Sequence, residues 1–449
     1  DVSSDAGGAG IDLHGGTPRP PWGGTEREWR SAIRDSERRN AYSVYLIFAA
    51  ASAFFYTLVF TVSAVYRVEQ AGLNPFQLVL VGTVLEASVF LFEIPTGVVA
   101  DVYSRRLSVI IGVFLIGAGF LLEGALPIFW TILLAQALWG IGYTFTSGAV
   151  NAWISDEIGE ERAGRAFLRG TQLGQAGALL ATGVSVALAS VRLNLPILAG
   201  GGCFVLLGLY LILRMPERHF TPRPPEERSS WQSMRRTLRD GARTVRGRPV
   251  LITILAIGAI YGMASEAFDR LWPVHFLDNF TFPQIADFQP VVWFGVINAV
   301  AMVLSAGVTE IARRRVNTAS HRGVARALLT INLLLIGSVT LFGLARGFAV
   351  ALAAYWLTYL LRTTHDPLYT AWVNQRLEPR VRATVLSIAS QADALGQIAG
   401  GPVLGAVATL ASIPAAMIGV AVALVPSLGL YTRALRRPEE VEAVTPAAD

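Results

Sequence analysis

Two polar stripes interrupt apolar stretches of this chain, and they share one spacing. Gln136, Gly140, Tyr143, Ser147 and Asn151 recur at intervals of 4, 3, 4 and 4 residues. Tyr355, Tyr359, Arg362, Asp366 and Thr370 repeat that spacing 219 positions later. Such intervals put each set on one helical face. The first face is neutral, whereas the second carries a cation and an acid. Glu266, Asp269 and Arg270 lie in another apolar stretch, as do Glu86, Glu93, Glu123 and Asp393. A charge at the centre of an inserted helix costs roughly 2.5–3.5 kcal/mol, so it needs a reason. A carboxylate there can take up and release a proton as its surroundings change, or meet a cationic ligand. Asp366 and Glu266 rank first for that role, Glu86 and Asp393 next, Glu93 and Glu123 last. Arg362–Asp366 and Glu266–Arg270 are each four residues apart, so structural pairing within a helix is the competing reading. His365 is either a proton relay beside Asp366 or a bundle residue satisfied by its neighbours.

Other routes to chemistry are missing from the sequence. It has no HExxH zinc motif, no GxSxG nucleophile motif and no Cys/His cluster, and its five histidines are scattered. An enzyme is not expected, nor a metal or other cofactor. The single cysteine, Cys203, lies in an apolar run and reads as a packing residue.

The elements that carry these residues follow from composition. Of 449 residues, 53% are hydrophobic and 15% charged, too apolar for a soluble chain to cover its core. Apolar runs recur at 41–66, 76–100, 107–125, 127–151, 166–190, 194–213, 250–274, 289–311, 324–345, 348–372, 383–410 and 413–431. Each is long enough to cross a hydrocarbon core of ~30 Å, and the backbone must satisfy itself there, so each reads as a helix. Residues 1–25 are polar and rich in Gly and Pro, with no apolar run of the signal-peptide type.

The net charge of +5 does not point to nucleic acid. All 37 basic residues are Arg, and 32 fall in the tails, in alternate connections or in the first residues of the runs that those connections enter. The other five are Arg67, Arg192, Arg270, Arg346 and Arg362. The positive-inside rule therefore puts both termini in the cytoplasm of a multi-pass protein of the cell membrane. The expected organisation is a cytoplasmic tail over 1–40, six helices over 41–213, a cytoplasmic loop over 214–248, six helices over 249–431 and a cytoplasmic tail over 432–449. In the loop, Trp231, Met234, Leu238 and Val245 alternate with arginines at nearly helical spacing. That segment is either an interfacial amphipathic helix or a solvated basic linker.

The two halves repeat. Gly97, Asp101, Arg105 and Arg106 follow the second run; a small residue, Glu310 and Arg314 follow the eighth, at an offset of 209. Ala152-Trp153-Ile154 answers to Ala371-Trp372-Val373, and Leu173-Gly174-Gln175 to Leu395-Gly396-Gln397. An ordered series of this kind implies duplication of a six-helix unit.

Twelve runs, a 6+6 repeat, a long central loop and the pattern Gly97-x-x-x-Asp101-x-x-x-Arg105-Arg106 together resemble the major facilitator superfamily of transporters over residues 40–435. Glu93-Ile-Pro-Thr-Gly97 resembles the exporter-like branch of bacterial drug carriers. The resemblance implies an all-α membrane fold of 12 transmembrane helices in two pseudo-symmetric bundles, acting as a monomer. It implies a cytoplasmic gate in which Gly97 allows close helix approach and Arg105 finds a carboxylate at the end of span 4, where Asp156 and Glu157 stand. Glu310 and Arg314 are the counterparts in the second half. The alternative is that Arg105 and Arg106 only anchor the topology.

By the same resemblance, spans 1, 4, 7 and 10 line a central cavity. Gln136, Tyr143, Ser147, Tyr261, Asp269, Tyr355, Tyr359 and Arg362 are its candidate substrate residues. Many aromatics and few charges suit an amphipathic organic molecule, cationic ones included; the same aromatics also serve as helix packing. The chain departs from drug/proton antiporters in two places. Gln136 stands where they carry Arg, and span 5 has no Gly-Pro motif. The expected function is proton-coupled export of small amphipathic compounds. Alternatives are proton-linked uptake or flipping of a lipid-like substrate. Partners are the substrate, protons and membrane lipids, with no nucleic acid.

Overall fold

The computed structural model describes residues 26–222, 249–284, 288–315, 320–375 and 379–436. The proposed amphipathic segment of the central loop lies outside them. Twelve long helices follow one another: α1 (Glu26–Val65), α2 (Pro75–Val98), α3 (Arg105–Ala125), α4 (Phe129–Ile158), α5 (Glu160–Ala189), α6 (Leu195–Arg214), α7 (Pro249–Asn279), α8 (Pro290–Arg315), α9 (His321–Leu344), α10 (Phe348–Gln375), α11 (Pro379–Leu410) and α12 (Ile413–Arg436). All twelve runs are helices, and most extend beyond the apolar stretch that announced them. α1 starts well ahead of residue 41, and α4 runs on past 151 to Ile158.

Local chemistry sets the ends. α2 opens with Asn74 accepting from the Gln77 N–H while the Gln77 side chain accepts from Asn74 N–H, and Pro75 fills the first position. α3 opens on the Ser104 hydroxyl, which accepts from the Leu107 N–H at 2.9 Å. α4 and α5 are separated by Gly159 alone, at φ 86°, a left-handed conformation that favours glycine. α1 and α2 end in π-helical turns at Tyr66–Gln70 and Val99–Tyr103.

Nine of the helices, among the described residues, are long and apolar enough to cross a membrane. The three that fall short are α4 and α10, which carry the polar stripes, and α11, which carries Gln391, Asp393 and Gln397. Many large apolar side chains are exposed, Leu180, Leu213 and Val403 among them, as lipid-facing helices require.

The helices form two six-helix bundles of matching design. In the first, α1 packs on α4, α5 and α6, α4 on α2 and α3, and α3 on α6. In the second, α7 packs on α10, α11 and α12, α10 on α8 and α9, and α9 on α12. Contacts between the bundles obey the same exchange: α2–α11 answers to α8–α5, and α2–α7 to α8–α1. The sequence repeats fall on equivalent crossings. Gly174 of α5 lies against Ala53 of α1, and Gly396 of α11 against Ala259 of α7. Small residues let these backbones approach closely.

The bundles close on each other at one end. There the Phe76 N–H donates to Thr409 Oγ1 at 2.9 Å. Val79 packs on Gly405, Thr83 on Gly401 and Val186 on Gly295. Toward the opposite, arginine-rich end, Gln172 and Gln175 of α5 and Leu304 and Ala306 of α8 are exposed. The space between the bundles therefore opens toward the arginines.

Candidate functional site

The repeat-related stripes form two walls. On the first bundle, α1 and α4 border a cavity of about 270 Å³ lined by Tyr45, Ser52, Tyr56, Tyr143, Ser147 and Asn151. On the second, α7, α8 and α10 border one of about 310 Å³ lined by Asp269, Trp272, Asn298, Tyr359, Arg362 and Asp366, with Tyr355 at its base. Aromatic rings back both walls. Tyr56 packs against Phe60, Phe120, Trp139 and Phe204, and Tyr355 against Trp272 at 4.3 Å between centroids.

The charges pair differently from the sequence reading. Arg362 does not bond Asp366. It reaches across to α7 and donates two hydrogen bonds to Asp269, at 2.5 and 2.8 Å, with its guanidinium 5.3 Å from the Phe268 ring centroid. Asp269 offers both oxygens to the planar fork, a geometry that a neighbour four residues along the same helix does not provide. Asp366 is left 79% exposed and lies 3.2 Å from His365 Nδ1. His365 itself is buried: its Nε2 bonds the Tyr431 hydroxyl at 3.0 Å, and its ring stacks on Tyr261 at 4.0 Å and on Tyr369 at 5.5 Å. It is a satisfied bundle residue that also touches Asp366, the more exposed of the two acids of this wall.

Two proposed cavity residues lie elsewhere. Tyr261 turns away from the central space, stacks on His365 and donates to Asn332 Oδ1 at 3.0 Å. Gln136 is buried at the closed end, where its amide donates to Glu123 Oε2 at 2.7 Å. Glu123 also accepts from Arg67 Nε at 2.8 Å, so α1, α3 and α4 are tied by a buried Arg67–Glu123–Gln136 cluster. Depth along each span was the signal that would have united these three, since all lie near the same end.

The remaining acids sit in the seam. Glu266 accepts from Arg270 Nε at 3.0 Å, the pairing within one helix that the spacing allowed. The pair lies against Gly82 of α2, where an added Cβ would collide with Glu266 Oε1 and the Arg270 guanidinium, and Glu266 also packs on Gly401 of α11. Only glycine at 82 leaves the notch that the ion pair fills. Glu86 stands one turn further along α2, half-buried. Asp393 lies at the α7–α11 crossing beside Gly262 and accepts from Gln397 at 2.8 Å. Glu93 accepts from Gln391 at 3.1 Å and bridges the bundles nearer the open end. Glu266 is thus enclosed, whereas Asp366 faces the open space.

At the arginine-rich end, Arg105 is ion-paired with Asp156 and donates to the Ala152 carbonyl at 2.7 Å. Glu157 is not its partner. It accepts instead from the backbone N–H groups of Arg218 and His219, at 2.7 and 3.0 Å. Those residues belong to a strap, Met215–Phe220, that follows α6. Glu217 of the strap accepts from the Ser104 hydroxyl at 2.5 Å and the Arg106 N–H at 2.9 Å. Trp153 Nε1 donates to the Pro216 carbonyl at 2.6 Å, and Phe220 lies under the Arg105 guanidinium. The strap escaped the sequence reading because it lies outside every periodic segment; Glu217 directly after Pro216 was its only trace.

Gly97 does not serve a close helix approach here, since nothing lies within 4 Å of where its Cβ would be. That part of α2 faces the open side. Asp101 is half-buried in the π-turn that ends α2. In the second half, Arg314 pairs with Glu310 of its own helix at 2.6 Å, with the arginine side chain largely in solvent.

Residues 44–365 match the sequence profile of the Major Facilitator Superfamily. A curated relative, the uncharacterized MFS-type transporter YxaM of Bacillus subtilis (strain 168), is 23% identical over 364 residues, covering 79% of this chain and 86% of the relative. Among solved structures, a point mutant of the nucleoside transporter NupG superposes with a TM-score of 0.71 at 14% identity, over 88% of this chain and all of that one. A bacterial homologue of the human lysosomal transporter Spinster, inward-facing and unoccupied, gives 0.67 at 15% identity over 89% and 97%. A POT family transporter bound to a thioalcohol-conjugated peptide gives 0.68 at 14% over 88% and 96%. At these identities the structural likeness is one of fold.

Proposed function

This chain belongs to the Major Facilitator Superfamily of membrane transporters, and from that premise we propose that it exports small amphipathic organic compounds, organic cations first among them, by alternating access coupled to protons. The observation that carries the reading is the charge balance of the open space. Both intramembrane arginines on the cavity side are already neutralised, Arg362 by Asp269 and Arg270 by Glu266. Asp366 faces that space 79% exposed, 3.2 Å from His365 Nδ1, and makes no hydrogen bond to an arginine among the described residues. Glu93 and Asp393 in the seam meet neutral glutamines. A cation held between aromatic walls and a carboxylate without an arginine partner gains from both. A proton competes for the same carboxylate, which is what exchange of substrate for proton requires.

The arginine-rich end is assigned to the cytoplasm by the 32-to-5 partition of arginines. The described arrangement then faces inward, ready to load from the cytoplasm. Rocking the bundles the other way lifts the Glu266–Arg270 pair out of the Gly82 notch and opens the opposite end. The Arg105–Asp156 pair biases that equilibrium without touching substrate.

A second reading, proton-linked uptake of a nucleoside- or peptide-like solute, is favoured by the likeness to NupG and the POT transporter and by the Trp272–Tyr355 ring pair on the second wall. Purified protein in liposomes decides between them. With a proton gradient imposed in either direction, a fluorescent organic cation is expected to move against the proton flow. Gradient-driven co-accumulation of nucleoside or peptide, with no cation flux, would replace export by uptake.

A further inference from the structure

The cavity on the first wall reaches further than the passage between the bundles. Besides α1 and α4 it is bordered by Val113 and Ile116 of α3 and by Phe204 of α6, so it is a recess inside the first bundle. Its lining carries no charged side chain, whereas the cavity on the second wall holds Asp269, Arg362 and Asp366. Drug-sized ligands fill roughly 300–1,000 Å³. At about 270 Å³ the recess holds one moiety of such a molecule rather than the whole.

One of its residues is anomalous. Ser52 of α1 is 8% exposed, and its hydroxyl has no hydrogen-bond partner among the described residues. Every other buried serine or threonine described donates to one. On the same helix Ser63, also buried, donates to the Val59 carbonyl at 2.8 Å. A hydroxyl taken out of water without a partner is destabilising, so such a group in a cavity wall suits a ligand that supplies one. Tyr143 and Asn151 of α4 border the same space, and their side chains form no hydrogen bond among the described residues either. Hydroxyl and amide groups both donate and accept. Tyr56 and Phe204 add ring surface beside them.

We infer that this recess receives the uncharged, hydroxyl-bearing end of the transported compound, a sugar-like ring, while the cationic end faces Asp366. The hydroxyls of such a ring match groups that both donate and accept, and its C–H face matches the negative faces of aromatic rings. A charged end is disfavoured in the recess, since no lining residue neutralises it. The substrate class is then that of amphipathic cations carrying a sugar-like ring, rather than purely lipophilic cations. This deepens the export reading and rests on it for the cationic end alone.

Calorimetric titration of the full chain in lipid nanodiscs, with empty nanodiscs as reference, tests it. The probes are two quaternary alkylammonium compounds of equal chain length, one ending in a glucosyl group and the other in a methyl ether, and uncharged phenyl glucoside. The glucosyl cation is expected to bind about tenfold tighter than the ether, because the ether leaves the polar groups of the recess unpaired. Ser52→Ala with Asn151→Ala should bring the two affinities within about twofold, whereas Ser63→Ala keeps the preference. Equal affinity of the two cations in the parent, or an undiminished preference in the double variant, overturns the recess and leaves cation export standing. Binding of phenyl glucoside that the double variant loses, with neither cation bound, would keep the recess and overturn the export reading instead. Tyr143→Phe gives the same comparison should the double variant fail to fold.

Discussion

The α4 and α10 walls descend from one repeated unit and occupy equivalent places in their bundles, yet they do different electrostatic work. Tyr143 and Ser147 stand where Arg362 and Asp366 stand in the second half, each 219 residues later. The first wall offers hydroxyls and rings; the second holds an ion pair to α7 and an exposed acid. Duplication has kept the backbone and the helical face while charge within the stripe has been confined to α10; in the first bundle the nearby acids, Glu86 and Glu93, stand on α2 instead. On the proposed proton-coupled reading one titrating group on the stripe suffices, and placing it on α10 leaves the α4 stripe free to contribute shape.

The largest expected effect breaks that asymmetry. Asp366→Asn should lower gradient-driven transport by roughly tenfold or more while counter-exchange of substrate persists, because the titrating state is gone and the cavity keeps its shape. Ser147→Asn, its counterpart, should change transport by less than about threefold. Comparable losses in the two variants, measured as initial rates in liposomes, would mean that the charge difference between the walls is incidental.

A second contrast is between two glycines of α2. Gly82 holds the Glu266–Arg270 pair of α7, and Gly97 faces open space. Gly82→Val should cost about 1–3 kcal/mol by overpacking the seam and should lower the melting temperature in detergent. Gly97→Ala should stay within about 0.5 kcal/mol of the parent. A Gly82→Val protein that melts like the parent would show that the notch is not filled in solution.

The smallest contrast concerns the connections at the arginine-rich end. Arg105–Asp156 joins α3 to α4, whereas Arg314 pairs with Glu310 of its own helix and holds its side chain mostly in solvent. Asp156→Asn should slow turnover several-fold with binding retained. Arg314→Gln should leave rate and stability within about 0.5 kcal/mol, as expected for an exposed pair. Equal rates for both would reduce the first pair to a topology anchor.

Much of the fold was legible because a bilayer leaves few choices. Uninterrupted apolar runs must be helices, and the shared 4, 3, 4, 4 spacing fixed which face of α4 and α10 is polar. What the sequence did not carry was rotation between helices. The choice of Asp269 over Asp366 by Arg362 depends on how α7 is turned toward α10. Gln136 matched the spacing of its stripe yet lies beyond the cavity, because the cavity ends before the stripe does. Gly97 kept its pattern although nothing described packs within 4 Å of its Cβ position on the open side. Glu217 and Phe220 act through a segment with no periodicity to read.

The strap after α6 bears on how the chain divides. Its hydrogen bonds to Ser104, Arg106, Trp153 and Glu157 all lie in the first bundle. The first bundle as a mechanical body therefore ends beyond the last turn of α6, at His219 or later. Fragment complementation with a break directly after Arg214 would strip the α3 entrance of its acidic cap and leave Glu157 facing nothing. The same two fragments joined past Phe220 would each carry a complete set of contacts. Natural insertions and engineered tags between the bundles should be tolerated on that far side and resisted on the near one.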